Sequence, residues 1–206
     1  MNITTLEALR ALYDPVRERS AKKELPQLDV HATRFIGFSP LVVLSSAGAN
    51  GALDASPRGG EPGFVKVLDP QTLLIPDAPG NNRLDTLENI VQTGQIGLLF
   101  LVPGMDETLR VNGRGWLSTD LALRERCTEP TGRVPRLVLR VRVEAVYLHC
   151  AKALMRSKLW DPAQHVDRAS LPSMTEMMRD QILAFRGEEI AAETQEQMLE
   201  RYRQTL

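Results

Sequence analysis

Cysteine is nearly missing from this chain: Cys127 and Cys150 are the only two in 206 residues. Two thiols so far apart build neither a disulfide framework nor a zinc site, which points to a reducing, cytoplasmic setting. Histidine is as sparse. His31, His149 and His165 are scattered, without the spacing of metal ligands, and no metal is expected. An excess of one charge is lacking too. The 25 basic and 26 acidic residues leave a net charge of −1, which excludes nucleic-acid binding by bulk positive charge and leaves room only for a local basic patch. No apolar run reaches the ~18 residues of a membrane span, and the opening MNITTLEALRALYD lacks the basic-then-apolar pattern of a signal peptide. G-x-S-x-G, G-x-x-x-x-G-K-[ST] and a strand-linked G-x-G-x-x-G are all missing, so a hydrolase serine, a P-loop and a Rossmann site are unsupported.

What is present is an ordinary globular composition, 43% hydrophobic and 25% charged, in a length suited to one domain. Leu6, Leu9, Leu12 and Tyr13 recur at helical spacing and predict a helix over Thr4–Arg19, capped by Thr4 or Thr5 and broken or restarted at Asp14-Pro15. A short helix is expected over Asp29–Gly37. From Pro40 the texture becomes that of strands: PLVVLSSAG, GALDASPRGG, GFVKVLD, TLLIPD, IGLLFLV (Ile96–Val102), ETLRVNGRGWLS and RLVLRVRVEAVYL (Arg136–Leu148). Tight turns between them predict antiparallel hairpins, with one helix inserted near Leu84–Gln92. Two tail helices, SMTEMMRDQILAF and EEIAAETQEQMLERYRQ, are expected on either side of Arg186-Gly187, with Met174, Met177 and Met178 as core packing or, alternatively, pocket lining. The whole reads as a single domain: helices over 1–38, a barrel over 39–162 and helices over 163–206 packed on it.

Four stretches carry candidate chemistry. IPDAPGNNRLDTLENI (Ile75–Ile90) sets flexible residues and an arginine directly before a helix. Unpaired amides at that helix start, the amides of Asn81 and Asn82, the guanidinium of Arg83 and the hydroxyl of Thr86 form an anion cradle, or else a capped loop with a surface arginine. DASPRGGEPGF (Asp54–Phe64) places Ser56 and Arg58 between strands; it is a second anion contact or a glycine-rich hairpin. In ETLRVNGRG (Glu107–Gly115) Thr108 and Arg110 share a strand face by the period of two, and Asn112-Gly113 reads as a turn carrying Arg114. HCAKALMRSKLWDP (His149–Pro162) gathers Lys152, Arg156, Lys158 and Trp160, as a ring or phosphate contact or as a core tryptophan among solvated cations.

In this order, DASPRGGEPGFVKVLDPQTLLIPDAPGNNRLDTLENI, IGLLFLVPGMDETLRVNGRG and AKALMRSKLWDP resemble the FMN-binding split-barrel proteins related to pyridoxamine 5′-phosphate oxidase, over roughly Leu28 to Pro162. The resemblance implies a mainly β (α+β) fold, a six-stranded antiparallel split β-barrel with flanking N- and C-terminal helices. It also implies a homodimer with FMN at the subunit interface. Carried over residue by residue, it assigns the FMN contacts to Ser56, Pro57 and Arg58, and to Pro76, Asp77, Asn81, Asn82, Arg83 and Thr86. Thr108 and Arg110 approach the ring or tail; Arg156, Ser157, Lys158 and Trp160 close the site, from the partner subunit. The activity implied is FMN-dependent oxidoreduction of a small substrate, with no catalytic side chain named. The Ser-Arg-Lys phosphate signature of the oxidase is replaced by Asn-Asn-Arg-Leu, and its Arg-x-His substrate signature is not evident, so oxidation of pyridoxamine phosphate itself does not carry over. A non-catalytic flavin carrier or sensor, or a split barrel holding haem or a deazaflavin, are the alternatives.

Overall fold

The computed structural model describes residues 2–204, which divide into two compact units, 2–157 and 158–204. The first unit opens with two single-turn helices, α1 (Leu6–Arg10) and α2 (Glu18–Lys22). Thr5 caps α1 by accepting from the Ala8 amide at 3.1 Å, as its position suggests. The stretch expected to be helical over Thr4–Arg19, broken or restarted at Asp14-Pro15, is interrupted there, but each side of the break keeps only a short helix. Leu6, Leu9, Leu12 and Tyr13 are all exposed, and an isolated helix this short has too few internal bonds to persist without a surface to pack on. Helix α3 (Val30–Phe38) has that surface. Asp29 caps it through the Ala32 amide at 2.7 Å, and Ala32, Phe35 and Ile36 bury one face at the i, i+3, i+4 spacing.

Seven strands follow: β1 (Leu41–Ala47), β2 (Leu53–Gly59), β3 (Lys66–Asp69), β4 (Thr72–Pro76), β5 (Gln95–Leu101), β6 (Thr108–Ser118) and β7 (Val138–His149). They form one sheet in the order β2-β1-β5-β6-β7-β4-β3, with every neighbouring pair antiparallel. The family resemblance implies six strands, whereas all seven stretches with strand texture form strands; the shortest, β3, has four residues and pairs only with β4. Helix α4 (Asp85–Thr93) links β4 to β5 and α5 (Leu121–Glu125) lies between β6 and β7, while α6 (Lys152–Ser157) ends the unit. Sequence patterning missed α5, whose five residues bury nothing.

The core lies on one sheet face. Val42, Phe100, Val111, Val141 and Val143 are essentially inaccessible, and α3 and α4 add Ile36 and Ile90. One expectation fails instructively. Asn112-Gly113 is not a turn: β6 runs straight through it to Ser118, with a bulge against β7, and Arg114 is a strand residue.

A smaller cluster on the other face gathers Leu74, Val138 and Cys127. Burial pushes the Cys127 thiol up to about 11, against the pull of Lys66 and Arg126, so it stays protonated at neutral pH. Cys150 is exposed. Titration of the native protein with an aromatic disulfide reagent is therefore expected to release one equivalent promptly, and two after denaturation. Prompt release of two would show that the Cys127 cluster opens.

The second unit holds two 3₁₀ turns, Pro162–Gln164 and Arg168–Ser170, and helices α7 (Met174–Arg186) and α8 (Gln195–Arg203). Gly187, at φ 68°, stops α7 in the left-handed conformation that glycine tolerates. The second tail helix begins at Gln195, later than its composition predicts. A Thr194/Gln197 capping box starts it there. Just before it, the Glu193 carbonyl accepts from Thr175 and the Glu193 carboxylate pairs with Arg201 at 2.8 Å, so those groups hold 193 outside the helix. Met174 and Met178 are exposed and α7 buries no residue, contrary to the expected core role.

Candidate functional site

Strand β2 is a sheet edge, and its side chains alternate. Asp54, Ser56 and Arg58 lie opposite the buried Ser46, Leu44 and Val42, so all three point to the core side. They form a row about 13 Å long at the usual strand rise. Arg58 Nη1 donates to Ser56 Oγ at 2.6 Å and to the Pro57 carbonyl at 2.9 Å. Pro57 itself turns to the other face and is exposed.

Helix α4 meets one end of this row. Thr86, only 2% exposed, donates from Oγ1 to Asp54 Oδ2 at 2.5 Å. Asn89 donates to Ser46 Oγ at 3.0 Å and Thr93 to the Ala47 carbonyl at 2.8 Å, so three successive turns are bonded to the β1–β2 hairpin. The helix start is unusual. Leu84, its N-cap, sits at φ 62° and offers no side-chain acceptor, and Asn82 is left-handed at φ 59°. A left-handed leucine costs of order 1–2 kcal/mol, and the first-turn amides are left to other acceptors.

The remaining residues of the turn are arranged less simply. Asn81 accepts from the Arg83 amide at 3.1 Å, which closes an Asx turn. Arg83 is exposed and forms a two-pronged pair with Asp85, whose carboxyl its hydrogen bond holds below the ordinary value. At the far end of the row Asp77 follows Pro76, the last residue of β4. Burial raises the Asp77 carboxyl above its ordinary value, while Arg58 and Arg136 pull it down. Arg58 on the β2 edge thus lies within electrostatic reach of a residue from the opposite end of the strand order, as a sheet that curls on itself requires.

Thr108 and Arg110 share a face, as the period of two predicts, but it is the outer face. Leu109 between them is core, and Arg110 lies over the Tyr147 ring at 5.0 Å. Within one chain they are therefore not brought together with Ser56, Arg58 and Thr86. Arg156 and Ser157 end α6 in the first unit, where Ser157 Oγ donates to the Leu154 carbonyl at 3.0 Å. Lys158, left-handed at φ 49°, and Trp160 belong to the second unit. Sequence reasoning missed Asp54, Asp85 and Arg136. Asp54 was accessible through the strand period that already picked out Ser56 and Arg58.

A concavity of about 520 Å³ lies elsewhere, between α3 and β3, lined by Thr33, Val65, Lys66, Val67, Leu68 and Arg126 and containing none of these candidates. No group of three or more His, Cys, Asp or Glu placed to hold a metal ion occurs among the described residues, and none of their helices is long and apolar enough to cross a membrane.

The family model described as pyridoxamine 5′-phosphate oxidase matches residues 28–150. The chain belongs to this family. Its antiparallel sheet with flanking helices is the family's split-barrel fold. Solved structures resemble about three-fifths of the chain at low identity. HupZ of Group A Streptococcus is 20% identical, with 59% of this chain and 93% of that chain covered at a TM-score of 0.49. A putative pyridoxamine 5′-phosphate oxidase of Lactobacillus delbrueckii is 22% identical, with 61% and 98% covered at 0.44. An FMN-binding protein of Syntrophomonas wolfei is 13% identical, with 59% and 86% covered at 0.41. No curated protein matches the chain.

Proposed function

We propose that this family member binds FMN and acts as an FMN-dependent oxidoreductase on a small substrate. The observation that carries the reading is the Thr86–Asp54 hydrogen bond. It fixes the uncapped start of α4 against a β2 row that holds Ser56 and Arg58. The donors suit a phosphate: first-turn amides with the helix dipole behind them, the Ser56 hydroxyl and the Arg58 fork. Three carboxylates temper the fit. Asp54 takes the Thr86 hydroxyl and Asp85 takes Arg83, so a dianion has to compete for both donors, while Asp77 borders Arg58. Arg58 therefore carries more of the phosphate than Arg83.

The division of candidates between two sheet faces favours a dimer. Arg110, Leu99, Val43 and Pro57 are successive cross-strand neighbours on the outer face, next to Leu41 and Leu101. A second copy covering this apolar strip would let Arg110 of one subunit approach a flavin anchored by Ser56 and Arg58 of the other, with Thr108, itself buried, behind it. Bound FMN would supply hydride or electron transfer at its ring, the protein supplying position and electrostatics.

Purified protein is expected to show the two-banded flavin spectrum, or to acquire it on titration with FMN, and to sediment as a dimer. Colourless protein that ignores added FMN overturns the reading. A Soret band instead assigns haem. FMN-loaded protein that neither NADH nor NADPH bleaches leaves a flavin carrier in place of a reductase.

A further inference from the structure

The outer face of β6 and β7 carries three guanidinium groups that no function described above employs. Arg114 and Arg142 are directly opposite each other across the two strands. Arg140 is two residues from Arg142 on the same face, about 7 Å away by strand geometry. Like charges directly opposite each other destabilise a sheet, and these have no compensating acid. Among the described residues no ion pair joins any of the three to a carboxylate, and exposed Glu144, the nearest acidic residue on β7, pairs with none of them.

Each arginine is nevertheless held or free in a way that suits an anion. Arg140 stacks on Trp116, its cross-strand partner, with the guanidinium carbon 5.2 Å from the ring centroid. Its Nε is buried and has no hydrogen-bond partner, an unmet donor that is costly in a closed structure. Arg114 is steadied by a 3.0 Å bond from Nη1 to the Thr93 carbonyl at the end of α4, leaving its other donors open. Arg142 is exposed. Trp116 remains 41% exposed beside them and offers a flat apolar surface. Thr72 and Gln95 flank the Arg142–Arg114 pair on the neighbouring strands as neutral polar groups.

We propose that Arg114, Arg140 and Arg142, with Trp116, form a second anion-binding site on the outer sheet face, for a ligand bearing two or more phosphates. Nucleotides and inorganic polyphosphate share that chemistry. The site is separate from the FMN reading, whose phosphate contacts Ser56 and Arg58 point to the opposite face of the sheet. The chain's near-zero net charge gives such a ligand no general attraction, so binding has to come from this local cluster.

Full-length protein, with and without FMN, is titrated with ATP and with tripolyphosphate by calorimetry at low salt. Saturable binding is expected that weakens as salt is raised and is unaffected by saturating FMN. Arg142→Gln, at an exposed position, is expected to weaken binding about tenfold, the worth of one hydrogen bond to a charged group. Arg114→Gln serves as a second variant, and both are checked by circular dichroism to remain folded. Tighter binding of ATP than of tripolyphosphate assigns the ligand to nucleotides, through Trp116; equal binding assigns it to the phosphates alone. No saturable binding of either probe, displacement of the probe by FMN, or wild-type affinity in both variants overturns the proposal.

Discussion

Gly113→Ala is expected to destabilise the fold by roughly 3 kcal/mol, enough to leave a marginal domain partly unfolded. A Cβ at this position would stand 1.9 Å from the Arg142 carbonyl oxygen and 3.0 Å from its carbon. The obstacle is backbone in the middle of the longest strand pair in the molecule, where eleven pairings join β6 to β7, and no rotamer change relieves it. The strands have to separate locally, which breaks hydrogen bonds on both sides of the bulge. Overpacking a rigid site costs about 1–3 kcal/mol, and this contact lies at the upper end because neither partner is a flexible side chain. Gly115→Ala is the control. Its Cβ would meet only side chains, Leu139 Cδ1 at 3.0 Å and Ile90 Cδ1 at 3.3 Å, which can shift. Urea unfolding followed by circular dichroism measures both. Equal midpoints for Gly113→Ala and wild type would mean that the bulge is open and the close approach is not a feature of the fold.

That position also shows what the sequence could and could not convey. The period-two alternation of Arg136–Leu148 and the apolar run Ile96–Val102 became β7 and β5 because a strand's pattern is local and its face is set by a shared core. Asn112-Gly113 carries the strongest short-range turn signal there is, and it is overridden: Gly113 serves to let β7's backbone come close, a requirement that exists only once the partner strand is in place. The same division holds at the candidate site. Helix α4 is legible to within a residue at each end, and Thr86 can be singled out as a hydroxyl one turn in. Its partner Asp54 lies 32 residues upstream and is set by the β1–β2 hairpin docking on α4, which spacing alone does not encode. Arg83 reads as the principal cation of the cradle, yet Asp85 two residues on engages it in the folded chain. Thr108 and Arg110 share one face, as the period of two predicts; that this face is opposite to Arg58's follows only from the sheet's strand order.

Arg58→Ala is expected to weaken FMN binding by about 1.5–3 kcal/mol, roughly 10- to 150-fold in dissociation constant, the range for a hydrogen bond to a charged group. Arg83→Ala is expected to produce the smaller loss. The difference lies in where each guanidinium rests. Arg58 is half-buried in the β2 row, oriented by Ser56 and the Pro57 carbonyl, so little freedom is lost when it meets a phosphate. Arg83 is exposed and has to leave Asp85 first. Removing Arg58 also strips Asp77 of the cation that most lowers its pKa, so burial acts with less opposition and the carboxyl shifts further up. The sign follows: a carboxyl raised in the folded state binds its proton more tightly there, so its contribution to stability is greatest at low pH and declines as pH rises above the ordinary carboxylate value. In Arg58→Ala this decline is steeper than in wild type, and Asp77→Asn combined with Arg58→Ala removes it. FMN titrations of the two arginine variants, with urea midpoints at pH 4 and pH 7, read both effects. A larger affinity loss for Arg83→Ala than for Arg58→Ala would place the phosphate at the exposed turn and not along the β2 row.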